Sequence, residues 1–267
     1  MSGRIPRLSA LVAVAVTVLA TASACGGGDG VTVQGAKLVK KGQLTTCTHL
    51  PYPPFQFVKD GKVVGFDVDV MDLVAKKLGV TQKVVDTPFE TIKTGAALNA
   101  GKCDVAAAGM TIKPERAKFI DFTKPYFDAT QAAMGKKGAA FASVDDLKKV
   151  KVGTQASTTG EEFVHAAKID SVSFDDSAAL LNGLRTGKVD VIVEDYPVVQ
   201  GWLKDPANSA YAIDGNYNTG EQYGFAVRKD KNTGLKDVID SVIAQARTDG
   251  SYKAIYEKWI GPMPEGH

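Results

Sequence analysis

The chain has 267 residues, with 32 Lys and Arg against 30 Asp and Glu, which is length enough for one large domain or two small ones. A balance so near neutrality, without a basic stripe, argues against an electrostatic nucleic-acid binder. The three histidines, His49, His165 and His267, have no ligand-spaced partners, and neither a phosphate loop nor a dinucleotide fingerprint is present, so no metal and no cofactor is expected.

Arg4 and Arg7 precede an uncharged apolar run, residues 8–24, that ends in Ala22, Ser23 and Ala24 just before Cys25. Residues 1–24 thus have the pattern of a secretory signal. The small-small-Cys ending is similar to a bacterial lipobox, which implies acylation of Cys25 and anchoring on the outer face of the cell membrane. Ordinary cleavage that leaves Cys25 a plain thiol, or an uncleaved anchor, are the other readings. Without the leader, 30 basic residues face 30 acidic ones, and no second apolar run is long enough to span a bilayer. The Gly-rich stretch after Cys25 makes residues 25–37 a lipidated N-terminus and flexible tether, with folding expected from Leu38 onward. Only Cys47 and Cys103 then remain. They form either one disulfide, in a compartment where such bonds persist, or two small buried strand residues.

Along the body, short β-like runs alternate with amphipathic helical ones, the signature of βα units and largely parallel sheets. A strand is expected at 45–48. Phe66, Val70, Leu73, Val74 and Leu78 follow at helical spacing, and Gly79 is placed to end that helix in a left-handed cap. Further strands are expected at 83–86, 104–108, 151–154, 189–194 and 223–227. Leu235, Val238, Ile239, Val242, Ile243 and Ala246 make a second helical stripe, and a short helix is expected at 251–259. Residues 98–105, Leu-Asn-Ala-Gly-Lys-Cys-Asp-Val, are echoed at 184–191 by Leu-Arg-Thr-Gly-Lys-Val-Asp-Val. Two similarly built lobes would explain the echo, as would chance recurrence of a short helix-Gly-strand joint. It places Gly109 and Asp195 equivalently at strand carboxyl ends, where open α/β sheets bind ligands.

Nine blocks, in order along the chain, carry a resemblance: Tyr52-Pro-Pro-Phe55, Gly65-Phe-Asp-Val-Asp69, Ala108-Gly-Met-Thr-Ile112, Pro114-Glu-Arg-Ala-Lys118, Asp121-Phe-Thr-Lys-Pro-Tyr126, Ser157-Thr-Thr-Gly-Glu161, Val189-Asp-Val-Ile-Val-Glu-Asp195, Tyr223-Gly-Phe-Ala-Val227 and Tyr256-Glu-Lys-Trp259. Over nearly the whole mature length they resemble the polar amino-acid family of ABC-importer solute-binding proteins. The resemblance implies an α/β, two-lobe periplasmic-binding-protein-like fold (type II), with a ligand cleft between the lobes and two crossover strands. Residues 38–129 and 224–264 would form lobe one, and residues 130–223 lobe two. The implied partners are a free amino acid, the membrane permease subunits and, through lipid, the membrane. A monomer is expected.

The same resemblance assigns roles. Arg116 would clamp the α-carboxylate, the planar bidentate cation suited to that anion; otherwise it is a surface residue paired with Glu115 or Asp121. Thr111 would add its N–H to the carboxylate and its hydroxyl to the ammonium. Asp195 would bind the ammonium, with the carbonyl of Gly109 as a second acceptor, although Pro197 makes a helix-capping role for Asp195 equally natural. Thr159 would be the second lobe's donor to the carboxylate. Ser157 departs from the family, standing where Gly is usual. Tyr52 and Phe89 would sandwich the ligand's stem, or else pack in a core. His49 falls where many relatives carry an aspartate that meets the far end of the ligand. An imidazole there favours glutamine or glutamate over lysine and arginine, unless Glu90 or Asp69 substitutes; a one-residue shift would turn His49 out of the cleft. A rival on the same fold is a cyclohexadienyl (arogenate or prephenate) dehydratase, with Glu90 or Glu194 as proton donor, but the amino-acid clamp favours a binding protein over an enzyme.

Overall fold

The computed structural model describes residues 30–264; the signal segment 1–24 and Cys25 lie outside them. Two five-stranded sheets form the two lobes of the α/β fold. The first has the order Thr81–Asp86, Gln43–Thr48, Val105–Ala106, Ala226–Arg228, Ile120–Phe122, and the second the order Ser171–Phe174, Val152–Gln155, Val191–Asp195, Phe127–Lys136, Tyr211–Tyr223. In each, the first three strands pair in parallel and the last two join through antiparallel pairings, so that only the fourth in order, Ala226–Arg228 or Phe127–Lys136, runs against the rest. The sheets are therefore mixed rather than largely parallel. The antiparallel strands Phe127–Lys136 and Tyr211–Tyr223 are where the chain leaves the first lobe and returns, and they pair with each other along nearly their whole length. Among the described residues no helix is long and apolar enough to cross a membrane.

The helical spacing seen in the sequence becomes packing. Helix Phe66–Leu78 buries Phe66, Val70, Met71, Val74 and Leu78, with Leu73 half-buried against the same core, and ends at Gly79 with φ 70°. Helix Thr233–Asp249 buries Leu235, Ile239, Val242, Ile243 and Ala246 and stops at Gly250, φ 84°, from which helix Ser251–Trp259 begins. Each such side chain, once fully buried, contributes roughly 1.5–3 kcal/mol of transfer free energy.

The tether expectation needs correction over residues 31–37; residues 26–29 lie outside the described residues. Strands Val31–Val33 and Ala36–Leu38 pair as a hairpin, with Ala36 and Leu38 wholly buried, so ordered structure starts before Leu38. The main chain of Lys37 exchanges hydrogen bonds with the Asn232 side chain at 3.0 and 2.9 Å. A glycine-rich composition signals flexibility only where no apolar side chain finds a core, and here two do.

The repeated Gly-Lys-x-Asp joint has a structural cause. Gly101 and Gly187 take positive φ to end their helical turns. Asp104 then accepts hydrogen bonds from the N–H groups of Val39 and Thr45, and Asp190 accepts one from Lys151. In each lobe the aspartate ties down the start of the neighbouring parallel strand. The opposite, carboxyl ends of those strands, at Thr48, Ala106, Gln155 and Asp195, then face one another across the two lobes.

Cys47 and Cys103 are joined by a disulfide, with Cα atoms 5.6 Å apart and a sequence separation of 56. By loop-closure entropy such a bridge stabilises the fold by about 4 kcal/mol. The Cys47→Ala, Cys103→Ala double variant is therefore expected to keep its fold but lose stability of about that size. Denaturant unfolding of the oxidised protein and the variant measures the difference.

Candidate functional site

His49, Tyr52, Phe89, Gly109, Thr111, Arg116, Thr159 and Asp195 line a single cavity between the lobes, together with Gln56, Ala108, Gln155 and Thr158. The first six come from loops at the carboxyl ends of first-lobe strands and the short helices that follow, the last two from the second lobe.

The Arg116 guanidinium is buried, which lowers its pKa from the usual value through loss of hydration. It donates to the Thr111 carbonyl at 3.0 Å and lies 5.4 Å from the centre of the Phe89 ring. Among the described residues it is in no ion pair; Asp121, the candidate surface partner, is bound by Lys229 at 2.8 Å. Arg116 stands on a single turn, Pro114–Ala117, whose proline occupies a position where no N–H is needed.

Opposite it, Asp195 ends strand Val191–Asp195 and occupies the N-cap position of helix Tyr196–Leu203, yet its side chain makes no capping bond. It accepts instead from the hydroxyls of Tyr52, at 2.8 Å, and Tyr223, and from the Gln131 amide. Tyr52 also reaches Glu194 Oε1 at 3.0 Å. Both carboxyls are buried and adjacent, so loss of hydration first and mutual repulsion with neighbouring carboxylates second push their pKa values up. A tyrosine hydroxyl has one proton, and a proton held by one of the two acids lets all three oxygens satisfy one another.

Gly109 has φ 54°, and a Cβ there would come within 2.8 Å of the Tyr52 ring. Its N–H donates to Asp67 at 2.9 Å, and Asp67 also accepts from Tyr126 at 2.7 Å. Asp67 belongs to the Gly-Phe-Asp-Val-Asp block and fixes from behind the loop that carries Gly109. Burial raises its pKa to about 7, against the two hydrogen bonds that lower it.

Thr111 and Thr159 both give their hydroxyl protons to Glu221, at 2.7 and 2.8 Å, so the Thr159 hydroxyl is not a spare donor to a carboxylate and only its N–H can serve. Ser157, where glycine was expected, holds the left-handed conformation that favours glycine, φ 68°. Its N–H bonds Glu161 at 2.8 Å and its hydroxyl bonds Glu90 at 2.6 Å. Thr158, not Thr159, caps helix Thr159–Ala166.

His49 faces the cavity and its Nε2 lies 3.4 Å from the Asp175 carbonyl of the other lobe. Its Nδ1, and the Oε1 atoms of Gln56 and Gln155, are buried without hydrogen-bond partners. Neither acidic substitute considered for His49 lines the cavity: Asp69 is held by Lys258 and Trp259, each at 2.7 Å, and Glu90 by Ser157 and Lys93. Sequence reading missed Gln131, Glu221 and the buried hydroxyl of Tyr223. They sit on the two antiparallel crossover strands, and only the Tyr223-Gly-Phe-Ala-Val227 block carried a hint. Among the described residues no group of His, Cys, Asp and Glu is placed to hold a metal.

Residues 44–262 match the bacterial extracellular solute-binding proteins, family 3. The chain belongs to that family. It is 34% identical over 221 residues to the putative ABC transporter arginine-binding protein 2 of Escherichia coli strain K12, spanning 80% of this chain and 88% of that protein. An ancestral arginine-binding protein solved bound to glutamine aligns with TM-score 0.77 and 41% identity, over 83% of this chain and 99% of that one. The ancestral amino acid-binding protein AncCDT-1, a precursor of cyclohexadienyl dehydratase, aligns with TM-score 0.75 and 35% identity, over 82% and 96%. The family and the named relative are solute-binding proteins rather than enzymes, which favours that reading over the dehydratase alternative.

Asp67 makes the stability of the ligand-free protein pH-dependent. Unfolded, its carboxyl releases its proton near pH 4; folded, it keeps it to about pH 7. Between those values the native state binds the extra proton, so unfolding free energy should fall as pH rises. Asp67→Asn should make that fall shallower, as urea titrations at intervals from about pH 4 to about pH 8 would record. An unchanged slope would remove Asp67 from the account.

Proposed function

We propose that the protein is the extracytoplasmic binding component of an ABC importer, and that it captures a polar amino acid of glutamine type and presents it to a membrane permease. The observation that carries this reading is the opposition, within one cavity, of a buried arginine without an ion-pair partner and a buried aspartate. A zwitterion supplies both missing counter-charges at once. Relatives that bind arginine or glutamine support the amino-acid class.

In this reading Arg116 and the N–H groups of Thr111 and Thr159 hold the α-carboxylate. Asp195, the Gly109 carbonyl and the Thr111 hydroxyl oxygen hold the ammonium. The aliphatic stem lies between the rings of Tyr52 and Phe89. The lobes are divided at 129/130 and 223/224, and the protein acts as a monomer tethered through acylated Cys25. The far end of the ligand meets His49, Gln56 and Gln155, groups that offer hydrogen bonds and no carboxylate. With Nε2 facing the Asp175 carbonyl as donor, the neutral His49 ring presents Nδ1 as an acceptor, and the two donor hydrogens of a terminal amide meet two of the three unpartnered acceptors, His49 Nδ1 and the Oε1 atoms of Gln56 and Gln155. A guanidinium or ammonium would be desolvated there without a counter-ion, which is costly.

Calorimetry with glutamine, glutamate, lysine and arginine is expected to rank glutamine first, and tighter binding of arginine would overturn the amide preference. Arg116→Ala and Asp195→Ala should each weaken glutamine binding by about 2–5 kcal/mol, because each strands a desolvated ligand charge. Unchanged affinity in either variant would remove that residue from the clamp.

The anchor has a separate test. Cys25→Ser should shift the protein from the membrane fraction to the medium or block its processing. Normal processing with unchanged membrane association would exclude the lipid.

A further inference from the structure

Glu221 is the residue that most sharply distinguishes this cavity from a simple pair of charge clamps. It lies on strand Tyr211–Tyr223, just past the point where the pairing with strand Phe127–Lys136 shifts register between Tyr217 and Glu221. The irregularity turns its side chain inward, and the residue is buried. Its Oε2 accepts from Thr111 Oγ1 of the first lobe at 2.7 Å and from Thr159 Oγ1 of the second at 2.8 Å. Its Oε1 accepts from Gln131 Nε2 and Thr219 Oγ1, each at 2.9 Å. The two threonine oxygens are thereby brought to 3.5 Å from each other across the cleft.

A hydroxyl has one proton and two lone pairs. With both protons directed to Glu221, Thr111 and Thr159 keep lone pairs for the cavity they line, Thr159 Oγ1 also accepting from Gln131 Nε2 at 3.4 Å. Taking the amino-acid reading above as its basis, we infer that Glu221 is a positioning residue: it fixes the hydroxyls of Thr111 and Thr159, one from each lobe, as acceptors for the ligand's α-ammonium. Glu221 does not line the cavity; it acts through the threonines. Its charge also acts on Asp195, whose proton affinity it raises after burial, so the ammonium enters a site whose acceptors are set by two carboxylates. The consequence is selectivity for amino acids over the corresponding des-amino acids, held by a residue on the crossover rather than in the first contact layer.

The test compares glutamine with its des-amino analogue, glutaric acid monoamide, by calorimetry or by competition against glutamine. In Glu221→Gln, the amide puts an N–H where a carboxylate oxygen accepted and upsets both threonine hydroxyls. Glutamine affinity is expected to fall roughly tenfold or more, while that of the analogue changes by no more than about twofold. Thr111→Val should reproduce the effect, and the double variant should be no worse than the weaker single one, since both remove the same acceptor. Equal losses for the two ligands would mean a merely structural role and overturn the inference, as would additive losses in the double variant. If Glu221→Gln does not fold, Thr111→Val alone decides, because an unchanged preference for glutamine over the analogue would overturn it. Failure of the wild-type protein to bind any amino acid would instead sink the functional reading on which the inference rests.

Discussion

Asp195 is the constraint around which the rest of this structure is arranged. A carboxylate removed from water is costly unless hydrogen bonds replace its hydration, and Asp195 receives them from three separate segments: Tyr52 in the proline-rich loop, Gln131 on one crossover strand and Tyr223 at the end of the other. Those partners converge only when the lobes face each other. Asp195 is thus satisfied by the relative placement of the two lobes, and its bond to Tyr52 holds that ring in the cavity wall.

The crossover strands do more than connect. Pairing of Phe127–Lys136 with Tyr211–Tyr223 brings Gln131 and Glu221 beneath the cleft, within 2.9 Å of each other. From there one carboxylate joins a threonine from each lobe. Motion of one lobe against the other would have to break or carry these bonds, so the same network that shapes the site also stands at the joint between the lobes.

The rest of the cavity lining is of a different kind. Arg116 and Asp195 share the cavity with the imidazole of His49 and the amides of Gln56 and Gln155, while Asp69 and Glu90 are engaged elsewhere. Relatives that share the fold are named for arginine or were solved with glutamine. The physical difference between such ligands is a positive side-chain charge, and His49, Gln56 and Gln155 bring no carboxylate to the cavity they line.

Much of this was legible in the sequence because it is written locally. The helices came from apolar spacing and their glycine stops, and the repeated Gly-Lys-x-Asp joint marked two strand starts, since each of those signals lies within a few residues. Thr111, Arg116 and Asp195, which line one cavity, were singled out through blocks whose order matches a family, not through periodicity. What the tertiary structure decided was everything that depends on groups distant in the chain. Burial of Ala36 and Leu38 ordered a segment that composition made flexible. The reversed strands Ala226–Arg228 and Phe127–Lys136 made both sheets mixed, and Glu221, 110 residues from Thr111 and 62 from Thr159, took both hydroxyl protons. A sequence states which side chains can donate or accept; which partner takes the single proton of a threonine is set only when the folded chain brings the acceptor within reach.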